Sequence, residues 1–234
     1  MPTINAQAPK AMQSTRRRAK PVRTDTVASA TLRTLQARAS QGDAAAQSEL
    51  GRRLSRRNKS KESLRWFRAA ARGGDPKHQM ELGLVLCWDW AAYRAGLKWV
   101  RRAAEQGHIG AQYFLGAELA TGENVRKNLS QSAYWYGRAA AQGHSEAQYN
   151  LALMYWTGEG VRRSISLAHH WLEKAARSRE LFALRALAEA YEFGRLGYRK
   201  NRVCARYWRD LYNRANQAAG KSSSRAKVRS LRSG

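Results

Sequence analysis

Residues 143–177 read GHSEAQYNLALMYWTGEGVRRSISLAHHWLEKAAR, and this stretch decides the fold. Ala147, Leu151, Ala152 and Tyr155 fall at i, i+4, i+5 and i+8, so they share one face of a helix. Gly158-Glu159-Gly160 stops that helix, because glycine takes the left-handed backbone that a C-terminal cap requires. Ser164 is placed to cap a second helix by accepting a backbone N–H. On the second helix Ala168, Trp171, Leu172 and Ala175 form another apolar stripe. Ala168 and Ala175 flank Trp171 one turn away on each side, small enough to let a neighbouring helix approach and take the indole.

The pattern occurs five times. The tryptophan of the second helix recurs as Trp66, Trp99, Trp135, Trp171 and Trp208, at spacings of 33, 36, 36 and 37. The leucine of the first helix recurs as Leu50, Leu82, Leu115, Leu151 and Leu187, each followed by a small residue: Gly51, Gly83, Gly116, Ala152 and Ala188. A fixed period in this range marks a helical solenoid. One two-helix unit cannot bury its own apolar face, so neighbours must stack.

The run A-x-x-x-L-[GA]-x-x-Y, then G-x-G-V, then A-x-x-W-x-x-x-A-A resembles the Sel1-like repeat, a relative of the tetratricopeptide repeat with slightly longer units. The resemblance covers roughly Ala39 to Tyr212 and is strongest in the units starting at Gly107 and Gly143. It implies an all-α, right-handed α-solenoid of about five helix–turn–helix repeats that holds other macromolecules together. It does not imply an enzyme. Leu115, Leu151, Leu187, the five tryptophans, Gly122, Gly158 and Gly160 are structural positions of that pattern.

The expected organisation is a disordered basic tail over 1–26, a solenoid over 27–219 and a second disordered basic tail over 220–234. Within the solenoid a capping helix spans 27–42, with Leu32, Leu35 and Ala39 on one face. Units follow at about 43–74, 75–107, 108–143, 144–179 and 180–215. The first two units depart from the pattern. Ser55-Arg56-Arg57-Asn58 lacks the glycine pair, and Cys87-Trp88-Asp89-Trp90-Ala91-Ala92-Tyr93 puts three aromatics where a short glycine turn belongs. The favoured reading of these aromatics is core filling for a reshaped loop. The alternative is an exposed patch, Trp88 and Trp90 among it, that docks a partner.

The net charge is +26 on 234 residues. Residues 1–40 carry eight Lys/Arg against one acid and residues 216–234 carry five against none, so the larger share of the excess sits on the solenoid. Such a chain attracts nucleic acid, an anionic membrane surface or an acidic protein. Cys87 and Cys204 lie in different units without paired spacing, which fits a reducing compartment. No apolar run is long enough to span a membrane, and no secretory signal is visible. The expected location is the cytoplasm of a bacterial cell, with export by a signal-peptide-independent route as the alternative.

No catalytic constellation stands out, and no cofactor or metal is expected. His108 and His144 follow the inter-unit glycine at the same repeat position and read as turn residues. His169 and His170 point about 100° apart on a helix, so they do not face one metal together. Glu118, Glu123, Glu146 and Glu159 read as solvated positions. The informative departures lie before the second helix of each unit. The Asp usual in the family at that helix start is Asn128, Ser164 and Asn201 here, all capable of capping and none charged. Each follows a basic pair: Arg126-Lys127, Arg162-Arg163 and Arg199-Lys200, with Arg56-Arg57 near the same place in unit one. Equivalent positions of a solenoid line up along one edge, so the pairs predict a positive ridge suited to carboxylates or phosphates. The reading that follows is a non-enzymatic scaffold or adaptor docking an acidic protein partner. One alternative is a nucleic-acid-associated protein that binds phosphates without sequence preference. Another is an accessory protein or effector of a bacterial secretion system.

Overall fold

The computed structural model describes residues 27–57, 60–89 and 91–232. Among them are eleven α-helices and no strand. α1 (Val27–Ser40) precedes five helical hairpins. These are α2 (Ala44–Arg56) with α3 (Ser60–Arg72), α4 (Pro76–Cys87) with α5 (Tyr93–Glu105), α6 (Ile109–Thr121) with α7 (Leu129–Ala141), α8 (Ser145–Thr157) with α9 (Ile165–Arg177), and α10 (Leu181–Phe193) with α11 (Arg202–Arg232). Each helix packs on the one before it and the one after it. The result is the α-solenoid, with α1 lying on α2 as the N-terminal cap.

Every repeat leucine is buried: Leu50, Leu82, Leu115, Leu151 and Leu187. The small residue after it receives a side chain from the second helix of the hairpin. A Cβ on Gly51 would meet the Phe67 ring at 3.1 Å, one on Gly83 the Val100 methyl at 2.6 Å, and one on Gly116 the Tyr136 ring at 2.6 Å. Ala152 and Leu172 pair in the same way. The large side chain buried deepest in the second helix is therefore the one after the tryptophan: Phe67, Val100, Tyr136 and Leu172. The tryptophans lie further out. Trp135 is 9 % exposed, while Trp66, Trp99, Trp171 and Trp208 are half-buried against the cores of adjoining units. Trp171, expected to be buried between neighbouring helix pairs, touches the cores on both sides but is only half-buried, and its outer face carries the Lys174 ammonium at 4.9 Å. Arg102 covers Trp99 and Arg138 covers Trp135 similarly, at 4.8 and 5.8 Å. In the last unit the position after the tryptophan is Arg209, exposed and paired with Glu192, which suits the end of a stack.

Buried glutamines stitch unit to unit. Gln47, Gln112 and Gln148 donate to the carbonyls of Ala39, Ala104 and Ala140, each at 3.0 Å. Gln79 donates to Gly74. The carbonyl oxygens of Gln79 and Gln112 in turn accept from Gln106 at 2.8 Å and Gln142 at 2.7 Å. The next rung fails, because Ser178 stands where Gln106 and Gln142 stand, and the buried Gln148 Oε1 has no partner among the described residues.

The first helix of each unit is capped by a side-chain acceptor at the residue after the inter-unit turn: Asp43, Asp75, His108, His144 and Glu180. The two histidines are thus more than turn residues, since Nδ1 of His108 accepts from Ala111 N–H at 3.1 Å and Nδ1 of His144 from Ala147 N–H at 3.4 Å. At the other end, α11 continues through Gly220 to Arg232, so the chain does not leave the helix at 220 as expected. Residues 213–219 contain three alanines and no acid or β-branched residue, a composition that propagates a helix already nucleated by packing. The expectations for 1–26, Asn58, Trp90 and residues 233–234 lie outside the described residues.

Candidate binding edge and cleft

The loops joining α6 to α7, α8 to α9 and α10 to α11 are built alike. Each opens on a left-handed glycine, Gly122, Gly158 or Gly194, that caps the first helix. Each closes when the N–H of Asn128, Ser164 or Asn201 donates back to Leu119, Tyr155 or Tyr191, at 2.9, 2.9 and 2.8 Å. The side chains of Asn128, Ser164 and Asn201 then accept N–H groups of the following helix. The three residues act as caps without charge.

Within each basic pair the two members do different work. The second member lays its stem on the capping glycine. An added Cβ on Gly122 would meet Lys127 Cβ at 2.7 Å, one on Gly158 would meet Arg163 Cβ at 3.2 Å, and one on Gly194 would meet Lys200 Cγ at 3.1 Å. Arg163 is held further, its Nε donating to the Trp156 carbonyl at 3.1 Å and its guanidinium lying over the Trp156 ring at 5.4 Å. Lys127, Arg163 and Lys200 thus pack along the loop. All six side chains are exposed at hairpin tips, and Arg126, Arg162 and Arg199 make no such approach to the capping glycines. Among the described residues no ion pair engages any of these six. Arg56 and Arg57 differ: Arg56 ends α2 and Arg57 is its C-cap, where a cation is favoured by the helix dipole. They lie at the same kind of hairpin tip but in another local setting.

Unit two breaks the series. Trp88 is the C-cap of α4 and is 88 % exposed, so it does not fill the core. Tyr93 does, opening α5 with its ring buried. Its phenol pKa is raised, by burial first and then by the Glu118 carboxylate. Burial, with Glu118 adding to it, also pushes the Cys87 thiol up to about 11, which leaves it protonated and unreactive at neutral pH. Glu118 is therefore not a solvated acid. It is half-buried and accepts from Asn124 Nδ2 at 3.2 Å.

Asn124 stands where the next unit has Gly160. Gly160 adopts φ +72 and sits so close to the Leu129 carbonyl at the start of α7 that a Cβ would collide with it. Asn124 has no positive φ. Its loop leaves a cleft of about 620 Å³ against α5. Arg94, Leu97, Lys98 and Arg101 of α5 form one wall and residues 122–126 the other. Arg94, Lys98, Arg101 and Arg126 bring four cations around this opening against the single carboxylate of Glu123. The spacing of Arg94, Lys98 and Arg101, at i, i+4 and i+7 on one helix, was legible in the sequence as a basic face. Its pairing with the Arg126 loop was not.

The described residues contain no cluster of His, Cys, Asp or Glu able to hold a metal. His169 and His170 diverge, His169 bonding the Leu196 carbonyl at 2.6 Å and stacking on Tyr198, and His170 lying edge-on to Trp171. No described helix is long and apolar enough to cross a membrane.

The Sel1 repeat profile matches residues 44–75, 92–108, 109–144, 145–179 and 181–208. The chain belongs to the Sel1 repeat family. The longest gap between matched segments, 76–91, holds α4 and the Trp88 loop, the part of this Sel1 chain that departs most from its family. Among solved structures the chain is similar to a Sel1 repeat protein from Oxalobacter formigenes, with 27% identity over 80% of this chain and 79% of the other and a TM-score of 0.69. It is also similar to a protective antigen of uropathogenic Escherichia coli with an SLR fold, at 25% identity and a TM-score of 0.60. That match covers 78% of this chain and 48% of the antigen, so the chain spans about half of it. An immunity protein from Pseudomonas aeruginosa shares the fold at 17% identity, over 79% of this chain and 73% of the other, with a TM-score of 0.52. No curated protein sequence matches the chain at a significant level. Sel1 repeats generally act in protein–protein interaction and are generally non-catalytic.

Proposed function

We propose that this Sel1 protein is a scaffold that docks an acidic protein partner along the edge carrying its hairpin tips. The observation that supports this reading best is the recurrence of an exposed arginine, Arg126, Arg162 and Arg199, with no ion pair among the described residues, at the same point of three successive loops. Each precedes a helix capped by a neutral residue, so no acid of the cap offsets its charge. Guanidinium groups in a row suit carboxylates, which they bind in a planar, two-pronged geometry.

A nucleic-acid reading draws on the net charge of +26. No element of the solenoid resembles one that enters a groove, so such binding would rest on phosphates alone and weaken steeply with salt. Affinity capture from native lysate, with and without nuclease, separates the two. Under the scaffold reading a protein partner survives nuclease treatment and is lost with Arg126→Gln/Arg162→Gln/Arg199→Gln, while circular dichroism stays unchanged. Loss of all captured material on nuclease treatment refutes the scaffold reading.

A further inference from the structure

We infer that the cleft between α5 and the α6–α7 loop is the anchor point of that docking, and that it takes an acidic peptide segment bearing one aliphatic side chain among its carboxylates. The inference rests on the scaffold reading and narrows it to one place and one chemistry.

Arg94, Lys98, Arg101 and Arg126 converge on the cleft from two elements, and among the described residues none of them is engaged in an ion pair. The next unit lacks this convergence. At the corresponding positions one unit on, α7 carries Ser130, Tyr134 and Gly137, and the Gly160 loop closes down on Leu129. Between the cations the wall is apolar, formed by Leu97 and Val125, both half-buried on the core. The floor is fixed, since Asn124 is held by Glu118 and Glu118 is set beside the buried Tyr93. A rigid apolar strip rimmed by cations recognises an aliphatic side chain flanked by acids. A nucleic-acid strand offers evenly spread phosphates and no branched aliphatic side chain, and a cleft of about 620 Å³ in one unit gathers its charge at a single point.

The test is fluorescence anisotropy with the full chain and three labelled probes: a glutamate peptide with one central leucine, an all-glutamate peptide of the same charge, and a single-stranded oligonucleotide of the same charge. The leucine peptide is expected to bind about tenfold more tightly than the all-glutamate peptide, from burial of one aliphatic side chain. Arg94→Gln/Lys98→Gln/Arg101→Gln is expected to weaken it at least about tenfold, since several charge-assisted contacts go together. The control Lys61→Gln/Arg65→Gln/Arg68→Gln removes three cations from the equivalent positions of α3, which lie outside the cleft. It is expected to change affinity less than about twofold, the effect of screened distant charge. Equal loss in both variants, no preference for leucine, or tighter binding of the oligonucleotide overturns the inference. Capture of the native partner distinguishes this failure from that of the scaffold reading. If the α5 variant keeps the partner while the Arg126/Arg162/Arg199 variant loses it, the cleft assignment falls and the edge stands. If both variants keep it, both fall.

Discussion

The broken rung of the glutamine ladder predicts that two substitutions at the turn after α9 stabilise the protein. The backbone there is the same as at the intact rungs: Ser178 has φ −79 and ψ 8, against −79 and 5 for Gln106 and −83 and 2 for Gln142. A glutamine at 178 is therefore placed to donate to Gln148 Oε1 as Gln142 donates to Gln112. A buried acceptor without a partner costs about 1–3 kcal/mol. Freezing the new side chain returns up to about 1.5 kcal/mol, so Ser178→Gln should gain about 1 kcal/mol. The next residue, Arg179, has φ +62 where the other inter-unit turns have Gly42, Gly74, Gly107 and Gly143 at +85 to +97. The left-handed backbone costs a residue with a Cβ about 1–2 kcal/mol, and the extra chain entropy of glycine offsets about half of that. Arg179→Gly should add a further gain of up to about 1 kcal/mol.

The double variant should then gain about 2 kcal/mol, which at a typical urea dependence moves the midpoint by about 1 M. Urea denaturation followed by circular dichroism and by tryptophan fluorescence measures it, the two probes together showing whether the solenoid unfolds as one unit. Gln142→Ser is the reciprocal test and should lower the midpoint by removing the donor to Gln112. If Gln142→Ser destabilises while Ser178→Gln changes nothing, the Gln148 oxygen is already satisfied and the argument is refuted.

Tyr136→Ala should cost about 3–5 kcal/mol, because its ring is buried on Gly116, and should exceed the cost of Trp171→Ala, whose indole is only half-buried; an inverted order in urea midpoints contradicts the packing described. His108 caps α6 through Nδ1 and so must be neutral there, and its pKa is lowered chiefly by burial. The folded state binds fewer protons than the unfolded state between that lowered value and the ordinary 6.5. The cap's contribution is thus complete above pH 6.5 and is lost as pH falls toward the folded value. His108→Asn, which caps without titrating, should flatten the drop in thermal midpoint between pH 7.5 and 5. Gly160→Ala should destabilise more than Gly137→Ala, since its Cβ meets the Leu129 carbonyl at positive φ, whereas a Cβ on Gly137 meets nothing within 4 Å; comparable melting temperatures would contradict that close approach.

The family and the hairpin order were determined by the sequence alone. Leucine, small residue and tryptophan recur at near-constant spacing, and a periodic apolar pattern has one economical solution, the stacking of identical hairpins. The loop glycines and the neutral caps Asn128, Ser164 and Asn201 were legible too, because backbone sign and capping are local properties. What depended on contacts between distant residues was not. In the first four units the residue after the tryptophan, not the tryptophan, fills the gap left by the small residue, and this follows from how two helices cross rather than from either stripe. The basic pairs looked like equal rungs, and all six side chains are exposed, yet only Lys127, Arg163 and Lys200 lay their stems against the capping glycines. The fate of Trp88 was decided by Tyr93, which takes the core site and leaves the indole outside. The charge of Arg94, Lys98 and Arg101 was visible in the sequence, but the cleft lies between α5 and a loop of the next hairpin whose Asn124 bonds Glu118, a pairing of separate elements. Local chemistry is written residue by residue, whereas a cavity is the volume that two separately folded elements fail to fill.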